Sequence, residues 1–137
     1  MDRALAQNDQ NCTALRFRGL VHAKRQQWPD AASRLGDATK CYGELAADAE
    51  RQLAAVRARS NWEPEYRAMR VAALEAQVEK YRSQESAAAV TAAANFVRAG
   101  DVDQAQTYTN LAARDPERAA AVQQLQELIK AMGKRPR

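Results

Sequence analysis

Residues 15–43 read LRFRGLVHAKRQQWPDAASRLGDATKCYG, and the fold depends on how this stretch divides. Leu15, Gly19 and Ala23, then Ala31, Leu35 and Ala38, recur at steps of three and four. That spacing lays one stripe of small or apolar side chains along each half. Pro29 follows the break at Gln27-Trp28, where its fixed φ and missing N–H suit the first position of a helix and not its interior. Gly43 is placed to cap the C-terminus of that second helix. The stretch therefore reads as an αα-hairpin, with helices over 2–27 and 29–42 and a restart of the first near Asn11. Gly19 and Ala31 carry so little side chain that the two backbones can approach there. Setting Gly19 against Ala31, and Leu15 against Leu35, gives an antiparallel register.

The hairpin has an echo later in the chain. Gly19, His22, Trp28, Ala31, Leu35 and Ala38 share their internal spacing with Ala93, Phe96, Val102, Ala105, Thr109 and Ala112. Half that offset lands on Val56, Arg59, Glu65, Ala68, Ala72 and Glu75, where the alanines fit the pattern and the charged residues do not. A period in the thirties, with a degenerate middle copy, implies a stacked helical array in place of an isolated hairpin.

Gly19, Trp28, Ala31, Leu35 and Ala38, and again Ala93, Phe96, Gly100, Ala105 and Ala112, resemble the tetratricopeptide repeat, with Asp115-Pro116 near the family's frequent proline. The sequence departs from that pattern at His22, Gln26 and Thr109, where an aromatic residue, Gly and Phe are common. The resemblance implies an all-α fold over residues 1–132. It would be a right-handed array of two to three antiparallel hairpins with a C-terminal capping helix. It also implies a concave face, formed by the first helix of each hairpin, that takes a peptide or partner helix. In this sequence that face would carry Thr13, Arg16, Leu20, Ala23 and Lys24, then Ala87, Val90, Ala94, Val97 and Arg98. The partner-binding set is Arg16, Leu20, Lys24, Val90, Ala94, Val97 and Arg98, a basic-rimmed apolar groove suited to an acidic protein or peptide partner. Leu20 stands where the family's carboxylate-clamping version has an amide side chain, which argues against that particular mode.

The rest of the chain continues the helical pattern. Glu44–Arg59 repeats Leu45, Ala49, Leu53 and Val56 on one face, and Ser60 to Pro64 breaks it. Glu65–Arg82 follows, with Tyr66, Met69 or Ala73, Leu74, Val78 and Tyr81 on its buried face. Residues 83–86 read equally as a turn or as the middle of one helix reaching Ala99. Gly100-Asp101 is a stop followed by a start, and Val102–Arg114 completes the late hairpin. Asp115-Pro116-Glu117 opens a last helix to Met132, with 133–137 a basic tail.

Composition agrees with this pattern. In 137 residues Ile occurs once, Phe twice and Gly five times, so strand formers are too scarce for a sheet. The net charge of +4 is spread along the chain, with eight basic and eight acidic residues between Glu44 and Arg98. That spread disfavours nucleic acid as a partner. No run of about 18 apolar residues occurs, so no membrane-spanning helix is expected. Ala4-Leu5-Ala6 before Gln7 resembles the end of a signal-peptidase site, although no apolar leader core precedes it.

Cys12 and Cys41 bracket the hairpin, and in the register above Cys12 lies opposite Ala38, within a turn of Cys41. Two states fit: a disulfide, which points to a periplasmic or otherwise exported protein, or two reduced buried thiols in the cytoplasm. Two Cys and one His have no zinc spacing, and no metal or cofactor is expected. His22 lies about three turns from Cys12 along one helix, roughly 15 Å at 1.5 Å per residue, which excludes a Cys–His nucleophile. No phosphate loop, Gly-x-Ser-x-Gly or His-Glu-x-x-His occurs. The expectation is a non-enzymatic interaction module. The alternative is a structural protein that self-associates through its long central helix.

Overall fold

The computed structural model describes residues 2–133, with side chains from Asp9 onward. Helix accounts for 89 % of it and no strand is present among the described residues, as the composition requires. The elements are α1 (Asp2–Lys24), α2 (Trp28–Arg57), α3 (Pro64–Ala99), α4 (Val102–Ala112), a 3-10 turn (Pro116–Arg118) and α5 (Ala119–Gly133). The basic tail expected after Gly133 lies outside the described residues.

Helices α2 and α3 form a long antiparallel pair to which everything else attaches. Arg57 bonds Glu75 at 2.7 Å and Arg82 bonds Glu50 at 3.0 Å, so the numbers run in opposite directions along the seam. Helix α1 lies antiparallel on the first part of α2. Helices α4 and α5 fold back along the last part of α3, where Ala89, Ala92, Ala93, Tyr108, Ala112, Val122 and Leu125 share one apolar cluster with Leu35. Small residues make these seams: Ala31, Ala93 and Ala105 are fully buried. Each contributes little apolar area, so the few large buried side chains, Leu35 and Tyr42 foremost, weigh heavily at roughly 1.5–3 kcal/mol apiece.

The structure corrects three expectations. First, Gly43 does not end a helix. Helix α2 runs straight through it to Arg57, merging the two helices expected over 29–42 and 44–59. A Cβ there would meet the Glu85 carboxylate from α3, the far end of a flexible side chain that can swing aside, so α2 passes close to α3 at this point without glycine being obligatory. Second, the α1–α2 register is shifted by one turn. Gly19 faces Leu35, whose Cγ would lie 2.6 Å from a Cβ at Gly19. The larger side chain takes the one site with no side chain opposite, and Ala31 needs no such gap. Third, α1 stops at Lys24, three residues before the expected Gln27. Gln26 turns the chain with φ of 61°, and His22 Nδ1 donates to Gln27 Oε1 at 2.7 Å across the turn.

The ambiguity at 83–86 resolves as continuous helix, 36 residues from Pro64 to Ala99. The expected boundary at Gly100-Asp101 holds: Gly100 caps α3 with φ of 82°, and Asp101 accepts the Gln104 N–H at the start of α4.

Candidate docking site

The shifted register brings Cys12 opposite Cys41, and the two are joined by a disulfide with Cα atoms 5.4 Å apart. Thr13 Oγ1 and Tyr42 Oη share a 3.1 Å hydrogen bond one residue further along. This fixes α1 on α2. Its position beside α3 follows from Asp9 and Lys80, 3.9 Å apart, and from Cys12 sharing an apolar cluster with Tyr81 and Ala88. The Asp9 charge and, before it, burial hold the Tyr81 hydroxyl above its ordinary pKa.

Both α1 and α3 are antiparallel to α2, so they run parallel to each other. Counting along them from the Asp9–Lys80 pair brings Arg16 level with Ala87 and Leu20 level with Thr91. The candidate residues on α1 and on α3 thus stand at the same height on two parallel helices, the walls of a candidate furrow. Leu35, fully buried, lies beneath them, since it touches Gly19 on one side and the cluster of Ala89, Ala92 and Ala93 on the other.

The two walls differ. On α1, Leu20 is 44 % exposed and Lys24 is exposed, while Arg16 is half-buried. On α3, Val90, Ala94 and Val97 are half-buried, and Val90 and Ala94 lean on the apolar cluster beneath them. Arg98 is exposed, with its guanidinium 4.7 Å from the centre of the Trp28 ring, which ties it to the start of α2. Arg16, Lys24 and Arg98 form no ion pair among the described residues. These two helices therefore carry half-covered small apolar side chains together with three cations that have no acidic partner among the described residues. Phe17, 67 % exposed and one turn before Leu20, extends the apolar surface of α1. Sequence reasoning passed over it because it lies off the small-residue stripe; its spacing of three from Leu20 was the available signal.

A second cavity opens between the middle of α3 and the corner after α4. It has a volume of 520 Å³ and is lined by Glu79, Arg82, Ser83, Glu85, Ser86, Leu111, Arg114, Asp115, Pro116 and Glu117. Many of its polar groups already engage one another. Ser86 Oγ donates to Asp115 Oδ2 at 2.6 Å and accepts from Arg118 Nε at 3.1 Å. The Ser86 hydroxyl first, then the Glu117 N–H, and the nearby Arg118 charge hold the Asp115 carboxyl below its usual pKa, against the opposing effect of burial. Arg82 is held above its usual pKa: burial opposes its charge, and bonds to Glu85 and Glu50 outweigh that. The Ser86, Asp115 and Arg118 bonds tie the corner after α4 to the middle of α3.

Among the described residues, no three His, Cys, Asp or Glu side chains group closely enough to hold a metal ion, and no helix is long and apolar enough to cross a membrane. No family model, curated protein or solved structure matches the chain.

Proposed function

We propose that this chain is a non-enzymatic docking module of tetratricopeptide-like character, and that the furrow between α1 and α3 takes an apolar peptide or partner helix with acidic flanks. One observation carries the reading. Leu20 and Phe17 stand exposed on α1, Val90, Ala94 and Val97 are half-buried on α3, and Arg16, Lys24 and Arg98 accompany them on the same helices without an ion pair among the described residues. Exposed apolar side chains bordered by charge of one sign fit a partner carrying the complementary pattern. The disulfide between Cys12 and Cys41 supports an exported setting, such as a periplasm, for this module.

Selection of a displayed peptide library on the oxidised protein tests the proposal. Enriched peptides should pair apolar anchors at helical spacing with flanking Asp or Glu. Their affinity should fall at least tenfold when Arg16, Lys24 and Arg98 are changed together to Glu, and similarly for Leu20→Asp. Peptides whose affinity ignores all four changes would reject the furrow. The second reading is self-association through the long helix, favoured by the unbroken run from Pro64 to Ala99. A strict monomer by light scattering at high concentration removes it.

A further inference from the structure

We propose that the free end of the α2–α3 hairpin is a docking patch for an anionic lipid surface, independent of the furrow. Counting back from Asp9 and Lys80 puts the start of α1 level with Ala73. Helices α4 and α5 stay on the other side of Ser83, where Arg118 donates to the Ser83 carbonyl at 3.3 Å. The hairpin end, from about Arg57 to Arg70, therefore projects past its neighbours. On the order of 13 Å of α3 is involved, at 1.5 Å per residue.

This end carries an apolar stripe. Trp62, half-buried against Leu53, Val56 and Leu74, touches Tyr66 with ring centres 5.3 Å apart. Tyr66 at 47 % and Met69 at 62 % exposure lie outside the core, contrary to the buried face expected for them, because neither α1 nor the α4 and α5 pair reaches this end of α3. Arginines flank the stripe. Between Arg51 and Arg70 there are five Arg and two Glu, a net +3 out of the chain's +4. Arg59, Arg67 and Arg70 make no ion pair among the described residues. Glu65, one of the two acids, lies in the first turn of α3, where the helix N-terminus already stabilises it.

The occupant follows from shape, area and chemistry. Three apolar side chains on a convex tip fall well short of the roughly 800 Å² per partner that a stable protein interface buries. A second copy would also bring the same arginines against these. Base stacking is hindered because Arg59 lies over the Trp62 ring at 5.4 Å and Tyr66 packs beside it. A lipid interface needs neither concavity nor large area. Trp and Tyr favour the headgroup level, and Arg stems lie along the apolar boundary while their heads stay wet. Each basic residue near an anionic surface adds about fivefold to the affinity.

The test uses the oxidised full chain carrying Trp28→Phe, which leaves Trp62 as its only tryptophan. The probes are vesicles of phosphatidylcholine alone, or with one quarter phosphatidylglycerol. At low salt the protein should sediment with the phosphatidylglycerol vesicles and not with phosphatidylcholine, and Trp62 emission should shift to the blue. Arg59→Gln, Arg67→Gln and Arg70→Gln together should weaken this about a hundredfold, and Met69→Asp should abolish the shift. Arg59 and Met69 are exposed and Arg67 and Arg70 half-buried, with Arg67 donating to the Arg59 carbonyl at 3.3 Å. Circular dichroism should report an unchanged fold for the exposed-site variants Arg59→Gln and Met69→Asp, which carry the test if the triple variant does not fold. Leu20→Asp in the furrow should leave vesicle binding intact, which separates this proposal from the docking reading. Equal sedimentation with both vesicles, no shift, or indifference to the three arginines would overturn it. So would a dimer dissolved by Met69→Asp, or binding to polyglutamate as tight as to the vesicles, which would assign the patch to a second copy or to an acidic protein.

Discussion

Gln26 holds a left-handed backbone, φ 61°, in the turn between α1 and α2. For an L-residue other than Gly that conformation costs roughly 1–2 kcal/mol, and the exposed Gln26 side chain gains no contact that requires it. Gln26→Gly should therefore stabilise the protein by about 0.5–1 kcal/mol after the added entropy of the unfolded chain is set against it, read as a higher urea midpoint at unchanged slope. A lower midpoint would mean that the side chain holds the turn. Asp115 gives the opposite kind of prediction. Its pKa is depressed in the folded protein, so its contribution is complete above the unfolded value of 3.8 and is lost as pH falls through the lower folded value. Asp115→Asn should lower stability by roughly 1–2 kcal/mol at pH 6. Urea titrations should show that gap closing below about pH 4; a gap constant down to pH 2 would mean the carboxylate's charge is not what holds the corner. Each was legible only in part: Asp115 read as the N-cap of Asp115-Pro116-Glu117, and it does accept the Glu117 N–H. Gln26 stood out only against a repeat pattern that favours Gly there, and the partner of Asp115, Ser86, sits 29 residues away on another helix.

The elements were legible where a signal was local and ambiguous where it was tertiary. Gly100 followed by Asp101 is a stop and a start in adjacent residues, and both act as such. Gly43 looked like the same kind of stop, but α2 runs through it, packed beside Glu85 of α3. Nothing within a few residues of Gly43 distinguishes the two roles. Small-residue spacing identified the α1–α2 pair, yet alanine stripes tolerate a slide of one turn, and only the fit of Leu35 over Gly19 fixes the register. That slide also sets the cysteines opposite one another. The disulfide is the strongest single tie on α1, whose buried side of the junction otherwise offers Gly19 and half-buried Leu15. Closing this loop is worth about 3–4 kcal/mol in the chain-entropy model. Thermal unfolding should therefore move down clearly with reductant in the native protein, and not at all in a Cys12→Ser, Cys41→Ser variant. An unmoved transition in the native protein would show α1 to be held by packing alone. The net charge of the hairpin end was hidden for a related reason. Counted over Glu44 to Arg98 the charges balance, because the acids near Glu50 and Glu79 cancel arginines that the fold carries to the tip.

At the scale of the molecule, burial is uneven, and stability should follow it. Helix α2 alone buries Ala31, Ala32, Leu35, Ala38, Tyr42, Leu45, Ala46, Ala49, Leu53 and Val56. Over half that length, 15 residues against 30, α5 offers only Val122, Leu125 and Ile129, with Leu128 half in water. With only three buried apolar side chains to hold it, α5 is less firmly anchored than α2. Helix α1 is in the same position once its disulfide is removed, because its seam is made of small residues. Native-state hydrogen exchange should consequently find three classes. The centres of α2 and α3 should exchange only through global unfolding. Amides of α5 should exchange through a local opening at least about 1–2 kcal/mol less costly, and α1 should move into that fast class on reduction while α5 stays where it is. Exchange that is equally slow in α5 and in the centre of α2 would mean the molecule opens as a single unit, and the furrow between α1 and α3 would then be a rigid surface that reduction leaves intact until the whole fold is lost.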